Sequence, residues 1–289
     1  MRSDDDTSCR DPVRHHEPGR AVVHLFGGPY VTLDGHRRSV PEGSKRLLAF
    51  VALRQGRVER RYVAGTLWSV RDDGRAAGNL RSALWRLRRA GIDVLCCDKW
   101  SVSLVAGVRV DTRDLGVWAD RVIAGRPRPE DLARIHLDTD ALDLLPGWYD
   151  DWTILERERL RQRLLHALES LSALLSGVGR HADAVESALA AVCAEPLRES
   201  AQRVLIKAYL AERNWYDARR ALDAYRDLLA GELGVSPSAD LVALVRDGAS
   251  AWTRPLRSVK LPRYISAVGV SAGAPLPSQL VAAPRPPPV

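Results

Sequence analysis

The stretch Asn79-Leu80-Arg81-Ser82-Ala83-Leu84-Trp85-Arg86-Leu87-Arg88-Arg89 decides how this chain is read. At about 100° per residue, Leu80, Leu84 and Leu87 fall within about 60° of one another and form a buried stripe. The helix runs from Arg75 to Ala90 without proline, and Gly91 ends it. Opposite the stripe lie Arg75, Ser82, Trp85, Arg86 and Arg89, with Asn79 near the edge. Arg81 and Arg88 flank the stripe on one side, and no acid interrupts the polar arc. A helix fits the major groove of B-DNA, where arginine pairs bidentately with guanine and asparagine with adenine. A solvated basic face on any small helical domain would look the same, so the neighbouring sequence has to decide.

Upstream, Val22, Val23, Leu25 and Phe26 precede a Gly27-Gly28-Pro29 turn, and Tyr30, Val31 and Leu33 precede an Asp34-Gly35 turn before Arg37 to Val40. Asp-Gly between apolar alternations predicts a hairpin, hence a small antiparallel sheet. Two helices follow, Ser44 to Gln55 and Glu59 to Trp68, ahead of the arginine-rich one. Downstream, Val94 to Cys96 and Trp100 to Leu104 read as strands around an Asp98-Lys99 turn. Three helices closed by a basic-tipped hairpin describe a winged helix-turn-helix. Lys45 starts the first helix, Arg60 and Arg61 start the second, and Lys99 tips the hairpin. All four are placed to hold phosphates, leaving the third helix to read bases. Trp85 suits either packing on the sheet or wing or contact with a thymine methyl, and Trp100 is expected in the wing core. Gly78 inside the reading helix costs about 1 kcal/mol against alanine.

Charge separates the two halves of the 289-residue chain. Residues 21–110 hold 16 Lys+Arg against 7 Asp+Glu, and residues 111–255 hold 19 against 24. The first half suits a polyanion; the second does something else. Only four of the basic residues are lysine, so arginine excess by itself says little. From Asp111 the pattern is helical, with breaks at Gly125–Pro129, Pro146-Gly147, Gly177–Gly179, Glu195-Pro196, Asn214 and Gly234–Pro237. His181-Ala182-Asp183-Ala184-Val185 and Trp215-Tyr216-Asp217-Ala218-Arg219 lie 34 residues apart, with Leu171 mapping to Leu205 and Leu175 to Tyr209. That is the tetratricopeptide period of two antiparallel helices. The expected fold is therefore an α+β winged helix followed by an all-α, tetratricopeptide-like domain. The expected segments are a disordered start at 1–19, the winged helix at 20–110, the helical domain at 111–254, and a disordered Pro-rich tail at 255–289.

The order of the sheet, Lys45-Arg46-Leu47-Leu48-Ala49, Leu67-Trp68 and the Asn79–Arg89 stretch resembles the OmpR-type winged helix of the Streptomyces antibiotic regulatory protein (SARP) family. Leu145-Pro146-Gly147-Trp148-Tyr149-Asp150-Asp151-Trp152, Arg157-Glu158-Arg159-Leu160-Arg161, Glu195-Pro196-Leu197-Arg198-Glu199-Ser200 and Gly231-Glu232-Leu233-Gly234-Val235-Ser236-Pro237 resemble that family's bacterial transcriptional activator domain. The resemblance covers residues 21–248. It implies activation of antibiotic gene clusters by paired or side-by-side protomers on direct repeats of double-stranded DNA, with help in recruiting RNA polymerase holoenzyme. It implies no receiver domain and so no control by aspartyl phosphorylation.

The remaining signals exclude rather than assign. There is no phosphate-binding Gly-x-x-x-x-Gly-Lys loop and no His-Glu-x-x-His. Cys9, Cys96, Cys97 and Cys193 fit no zinc spacing and read as free thiols. His15-His16 read as solvated, and Asp150-Asp151 as caps of the next helix. No enzyme, cofactor or metal site is expected. The start carries three aspartates and no apolar run, and no stretch is long and apolar enough for a bilayer. A cytoplasmic, nucleoid-associated protein with no membrane contact is the expectation. The competing reading is a tetratricopeptide-like adaptor without direct DNA readout, which gives no reason for the charge split.

Overall fold

The computed structural model describes residues 21–54, 56–68, 73–133 and 143–252. The expectations for 1–19, for Cys9, for His15-His16 and for the tail at 255–289 lie outside the described residues. The described residues up to Ala249 form one compact unit.

Strands β1 (Ala21–His24), β2 (Tyr30–Leu33) and β3 (His36–Ser39) form the expected meander. Leu33 pairs with His36, so the turn has two residues, and Asp34 and Gly35 both take positive φ, 50° and 80°. That is the backbone a type I′ hairpin needs, and it is why Asp-Gly stands there. Helix α1 (Glu42–Leu53), the short β4 (Val58–Glu59), α2 (Arg60–Leu67) and α3 (Asp73–Arg89) follow. The wing is β5 (Leu95–Cys97) and β6 (Ser101–Leu104), with β4 on the other side of β6.

One strand was not legible. β7 (Arg109–Val110) returns beside β1 in parallel, Val22 opposite Arg109 and Val23 opposite Val110, so the first sheet runs β3-β2-β1-β7 and is mixed. Two residues carry no strand period. Only the position of the wing brings them to β1, with all three helices and the wing serving as the crossover that a parallel pair requires.

Helices α4 (Asp111–Ile123), α5 (Asp151–Gly177), α6 (His181–Ala194), α7 (Glu199–Ala211), α8 (Trp215–Leu233) and α9 (Ala239–Trp252) complete the described chain, with a 3₁₀ turn at Pro129–Ala133. The repeat is visible in the backbone. Gly179 and Arg213, 34 apart, both take positive φ; Arg180 N–H bonds to Leu175 O (2.9 Å) and Asn214 N–H to Tyr209 O (2.8 Å). Ala184 and Ala218, again matched, are fully buried, because only a methyl group fits where neighbouring helices come close.

The two parts are joined by buried chain. Leu144 and Leu145 belong to the core of the winged helix. Leu145 N–H bonds to Leu25 O (3.1 Å) and Gly27 N–H to Asp143 O (3.1 Å). Arg157 on α5 donates to the carbonyls of Leu144, Leu145 and Trp148. Asp111, at the start of α4, accepts the N–H groups of Leu25 (2.8 Å) and Phe26 (3.2 Å), and burial raises its pKa. Asp150 stands at the N-cap of α5, but its side chain does not cap the helix; it pairs with Arg46 of α1. The sequence motif was right about the position and wrong about the bond, because Arg46 is a stronger partner than a backbone N–H.

Asp131 is the clearest single fastener in the helical half. It is 2% exposed and takes Arg121 Nε (2.8 Å), Arg121 Nη2 (2.5 Å) and Arg128 N–H (2.8 Å). Its backbone carbonyl accepts the indole N–H of fully buried Trp118 (3.1 Å). Arg121's bonds hold the Asp131 carboxyl below the ordinary carboxylate range. Its stabilisation is therefore present above the unfolded value of about 3.9 and lost as pH falls through the lower folded value. Asp131→Asn is expected to lower stability at neutral pH, because Arg121 loses its carboxylate partner. In urea titrations from pH 7 down, the gap between wild type and variant should hold to about pH 4 and then shrink. A gap that is constant down to pH 2 would contradict the ion-pair account.

Candidate nucleic-acid interface

The third helix is held by its inner face. Ala76, Leu80, Ala83, Leu84 and Leu87 are buried, the stripe read from sequence with two alanines added where α3 meets its neighbours. Ser44, fully buried on α1, donates its hydroxyl to Ala83 O (2.8 Å), which fixes the rotation of α3 against α1. At the C-terminus Gly91 takes φ 70° and its N–H bonds to Arg88 O (2.9 Å), while Ile92 N–H reaches Leu87 O (3.0 Å). This paired closure, with Ile92 buried, ends the helix and turns the chain into the wing.

Arg75, Asn79, Arg81, Ser82, Trp85, Arg88 and Arg89 all lie exposed on α3. Arg86 does not join them. It is half-buried across the start of α1, with Nη2 on Gly43 O (3.2 Å), and a Cβ on Gly43 would strike its guanidinium at 2.9 Å. The helical wheel placed Arg86 in the outward arc; the bare backbone of Gly43 leaves room for it to fold inward. Gly78 lies inside a continuous α3, and a Cβ there would meet nothing closer than Arg81 at 3.9 Å.

The wing tip is braced by one carboxylate. Asp98 Oδ1 accepts the N–H groups of Trp100 and Ser101, each at 2.7 Å, and Oδ2 takes Ser101 Oγ (3.0 Å) and Arg57. Arg60 donates to Asp98 O (3.0 Å) and touches Cys97 Sγ, so this arginine serves the wing. Trp100 is 72% exposed with Lys99 Nζ 5.0 Å from its ring, which overturns its placement in the wing core. The three-residue turn that Asp98 closes points the indole outward, a consequence of the Asp-x-x-Ser pattern that the hydrophobic alternation hid. Trp85 is likewise exposed, 56%, with Arg89 stacked 5.1 Å from it.

Between α2, α3 and the wing runs a cleft of about 930 Å³. Arg60, Arg61, Arg81, Lys99 and Trp100 are on its walls. Arg61, Arg75, Arg81, Arg88 and Arg89 make no ion pair among the described residues, whereas arginines of the helical half are paired in series, among them Arg159–Glu156 (2.9 Å), Arg198–Glu169 (2.7 Å) and Arg219–Asp223 (2.8 Å). Lys45 is an exception on the basic side, bound to Glu42 at 2.6 Å. The structure thus brings Arg60, Arg61, Arg81 and Lys99 together at one cleft, leaves Arg75, Arg88 and Arg89 exposed on α3, and engages Lys45 and Arg86 with α1. Among the described residues no group of His, Cys, Asp and Glu could hold a metal ion, and no helix is long and apolar enough to cross a membrane.

Comparison with known proteins follows the same division. Residues 132–247 match the family model "Bacterial transcriptional activator domain". Regulatory protein AfsR of Streptomyces coelicolor is 28% identical over 243 residues, covering 81% of this chain and 24% of AfsR. Regulatory protein AfsR of Streptomyces griseus is 30% identical over 220 residues, covering 69% of this chain and 21% of that protein. The chain therefore spans less than a quarter of the length of these relatives. Mycobacterium tuberculosis EmbR, solved in complex with a low affinity phosphopeptide, superposes with a TM-score of 0.62 at 20% identity, covering 80% of this chain and 65% of EmbR; at that identity the likeness speaks for the fold. Together these matches support a transcriptional activator of the Streptomyces antibiotic regulatory protein type, with a bacterial transcriptional activator domain over residues 132–247.

Proposed function

We propose that the protein is a sequence-specific, DNA-binding transcriptional activator of an antibiotic biosynthetic gene cluster. In this reading it binds direct repeats of double-stranded DNA near promoters as side-by-side protomers and aids recruitment of RNA polymerase holoenzyme. It is no enzyme, needs no cofactor and works in the cytoplasm on the nucleoid. The observation that carries the DNA reading is the set of unpaired arginines on α2 and α3. A protein that pairs most arginines of its helical half with acids, yet leaves Arg61, Arg75, Arg81, Arg88 and Arg89 without them among the described residues, has an external anion for them. A phosphate backbone fits, because neutralising its charges releases counterions.

Within this reading the roles divide by geometry. Exposed Asn79, Arg81, Ser82, Trp85, Arg88 and Arg89 on α3 meet base edges in the major groove, with Arg75 at the helix start. Arg60, Arg61 and Lys99 hold phosphate around the cleft. The exposed Trp100 packs its indole against the sugar wall beside the wing. Arg86 orients α3 against α1, and Lys45 is held by Glu42 within α1.

Fluorescence anisotropy on a specific site and on random DNA tests the division. Arg89→Ala should cost about 1–3 kcal/mol on the specific site and much less on random DNA, while Lys99→Ala should weaken both alike. Arg86→Ala should lower thermal stability and leave the ratio of the two affinities near wild type. Equal losses on both DNAs for Arg89→Ala would remove α3 from base reading. Affinity should also fall steeply with salt, by about one unit of log–log slope per phosphate contact. A flat response would exclude phosphate contacts and favour the adaptor reading. Genome-wide mapping of bound DNA, with Arg81→Ala, Arg89→Ala as control, would show whether the bound promoters carry direct repeats and belong to one gene cluster.

A further inference from the structure

A second cavity, of about 310 Å³, lies between α1, α4 and α5. Its walls come from three places: Leu53 at the end of α1, residues Thr112 to Asp120 at α4, and Leu144 with Glu156 to Arg163 on α5. Leu53, Leu144 and Leu160 give it an apolar part, and three arginines line it, Arg113, Arg159 and Arg163. Two of them are neutralised. Arg159 pairs with Glu156 at 2.9 Å, and Arg163 pairs with Asp120.

Arg113 is different. Its one hydrogen bond goes to the carbonyl of Arg54, and its Nε is buried with no partner among the described residues. Burial lowers its pKa and no carboxylate offsets that. A buried donor without an acceptor is costly, and native structures rarely leave one unexplained. Arg113 also lines this cavity, whose size is at the small end of the range, about 300–1,000 Å³, that holds organic ligands.

We propose that this cavity is a binding site for a small organic monocarboxylate with an apolar body. The carboxylate accepts from Arg113, and the body lies on Leu53, Leu144 and Leu160. A planar guanidinium fork matches a carboxylate's two oxygens, which makes Arg the fitting donor. One uncompensated positive charge calls for a monoanion. Glu156 and Asp120 at the same walls repel a phosphate dianion. The apolar part adds burial energy that an inorganic ion cannot use. The occupant would touch α1, which carries Ser44 and so positions α3, and also α5, the first long helix of the activator half.

The site is testable on the full chain without DNA, so its failure is separate from failure of the DNA reading. The probes are sodium benzoate and sodium octanoate, with benzamide and ionic-strength-matched sodium chloride as controls, read by thermal unfolding. The wild type should rise by about 3 °C at roughly ten times the Kd, saturably, with benzamide and chloride inert. Arg113→Met keeps the aliphatic bulk and removes the fork; it should abolish the rise. Val117→Trp fills the mouth from a position that is 54% exposed, and should abolish it with the charges untouched. The same rise in wild type and both variants would mean unspecific binding and overturn the proposal. So would no saturable rise with either carboxylate at tens of millimolar, or an equal rise with benzamide.

Discussion

Helix α1 is buried on every side, and the rest of the molecule is arranged to cover it. From Leu47 to Ala52 every residue is at 0% exposure. An ordinary surface helix shows the core one apolar stripe; one apolar all round must be enclosed by several layers. Helix α3 covers one side and is locked there by Ser44. The wing sheet covers another, with Val102 fully buried. The remaining side is closed from the activator half: Trp152 of α5 meets Phe50 edge-on at 5.2 Å, and Trp148 meets Trp152 at 6.2 Å. The winged helix thus completes its core with residues that follow it by about a hundred positions. This makes the described residues up to Ala249 one compact unit, with α1 in contact with both α3 and α5.

Electrostatics divides the molecule differently from packing. In the helical half, arginines and acids alternate along helix faces and pair at three- and four-residue spacing, as Arg161 does with Glu158 and Arg203 with Glu199. Exposed pairs of this kind contribute little each, about 0.5 kcal/mol, but they cancel charge. On α3 no acid among the described residues pairs with Arg75, Arg81, Arg88 or Arg89. Its arginines repel one another at the cost of some stability, a cost that a functional surface is expected to carry.

How much of this was legible in advance depends on the range of the physics. Local rules placed the elements. Asp34-Gly35 gave the hairpin, Gly91 ended α3, Asn214 caps α8 through its bond to Asp217 N–H (3.2 Å), and the 34-residue spacing marks the helical repeat in the backbone angles. The same rules found the arginine-rich helix and its buried stripe. They failed where a side chain had two possible partners. Arg86 turned inward because Gly43, far off in sequence, presents no side chain. Asp150 took Arg46 instead of its own helix. Trp100 went outward because a turn closed by Asp98 outweighed the alternation of its strand.

By itself the sequence determined the kind of elements, their order and the sign of charge in each half, because periodicity, turn chemistry and composition act within a few residues. Only the tertiary structure decided that β7 pairs with β1, that Leu144 and Leu145 belong to the first core, that Arg60, Arg61, Arg81 and Lys99 share one cleft, and that Arg113 lines a cavity. Each of these depends on contacts between residues tens of positions apart. They are fixed by which buried surfaces fit together once every layer around α1 is in place.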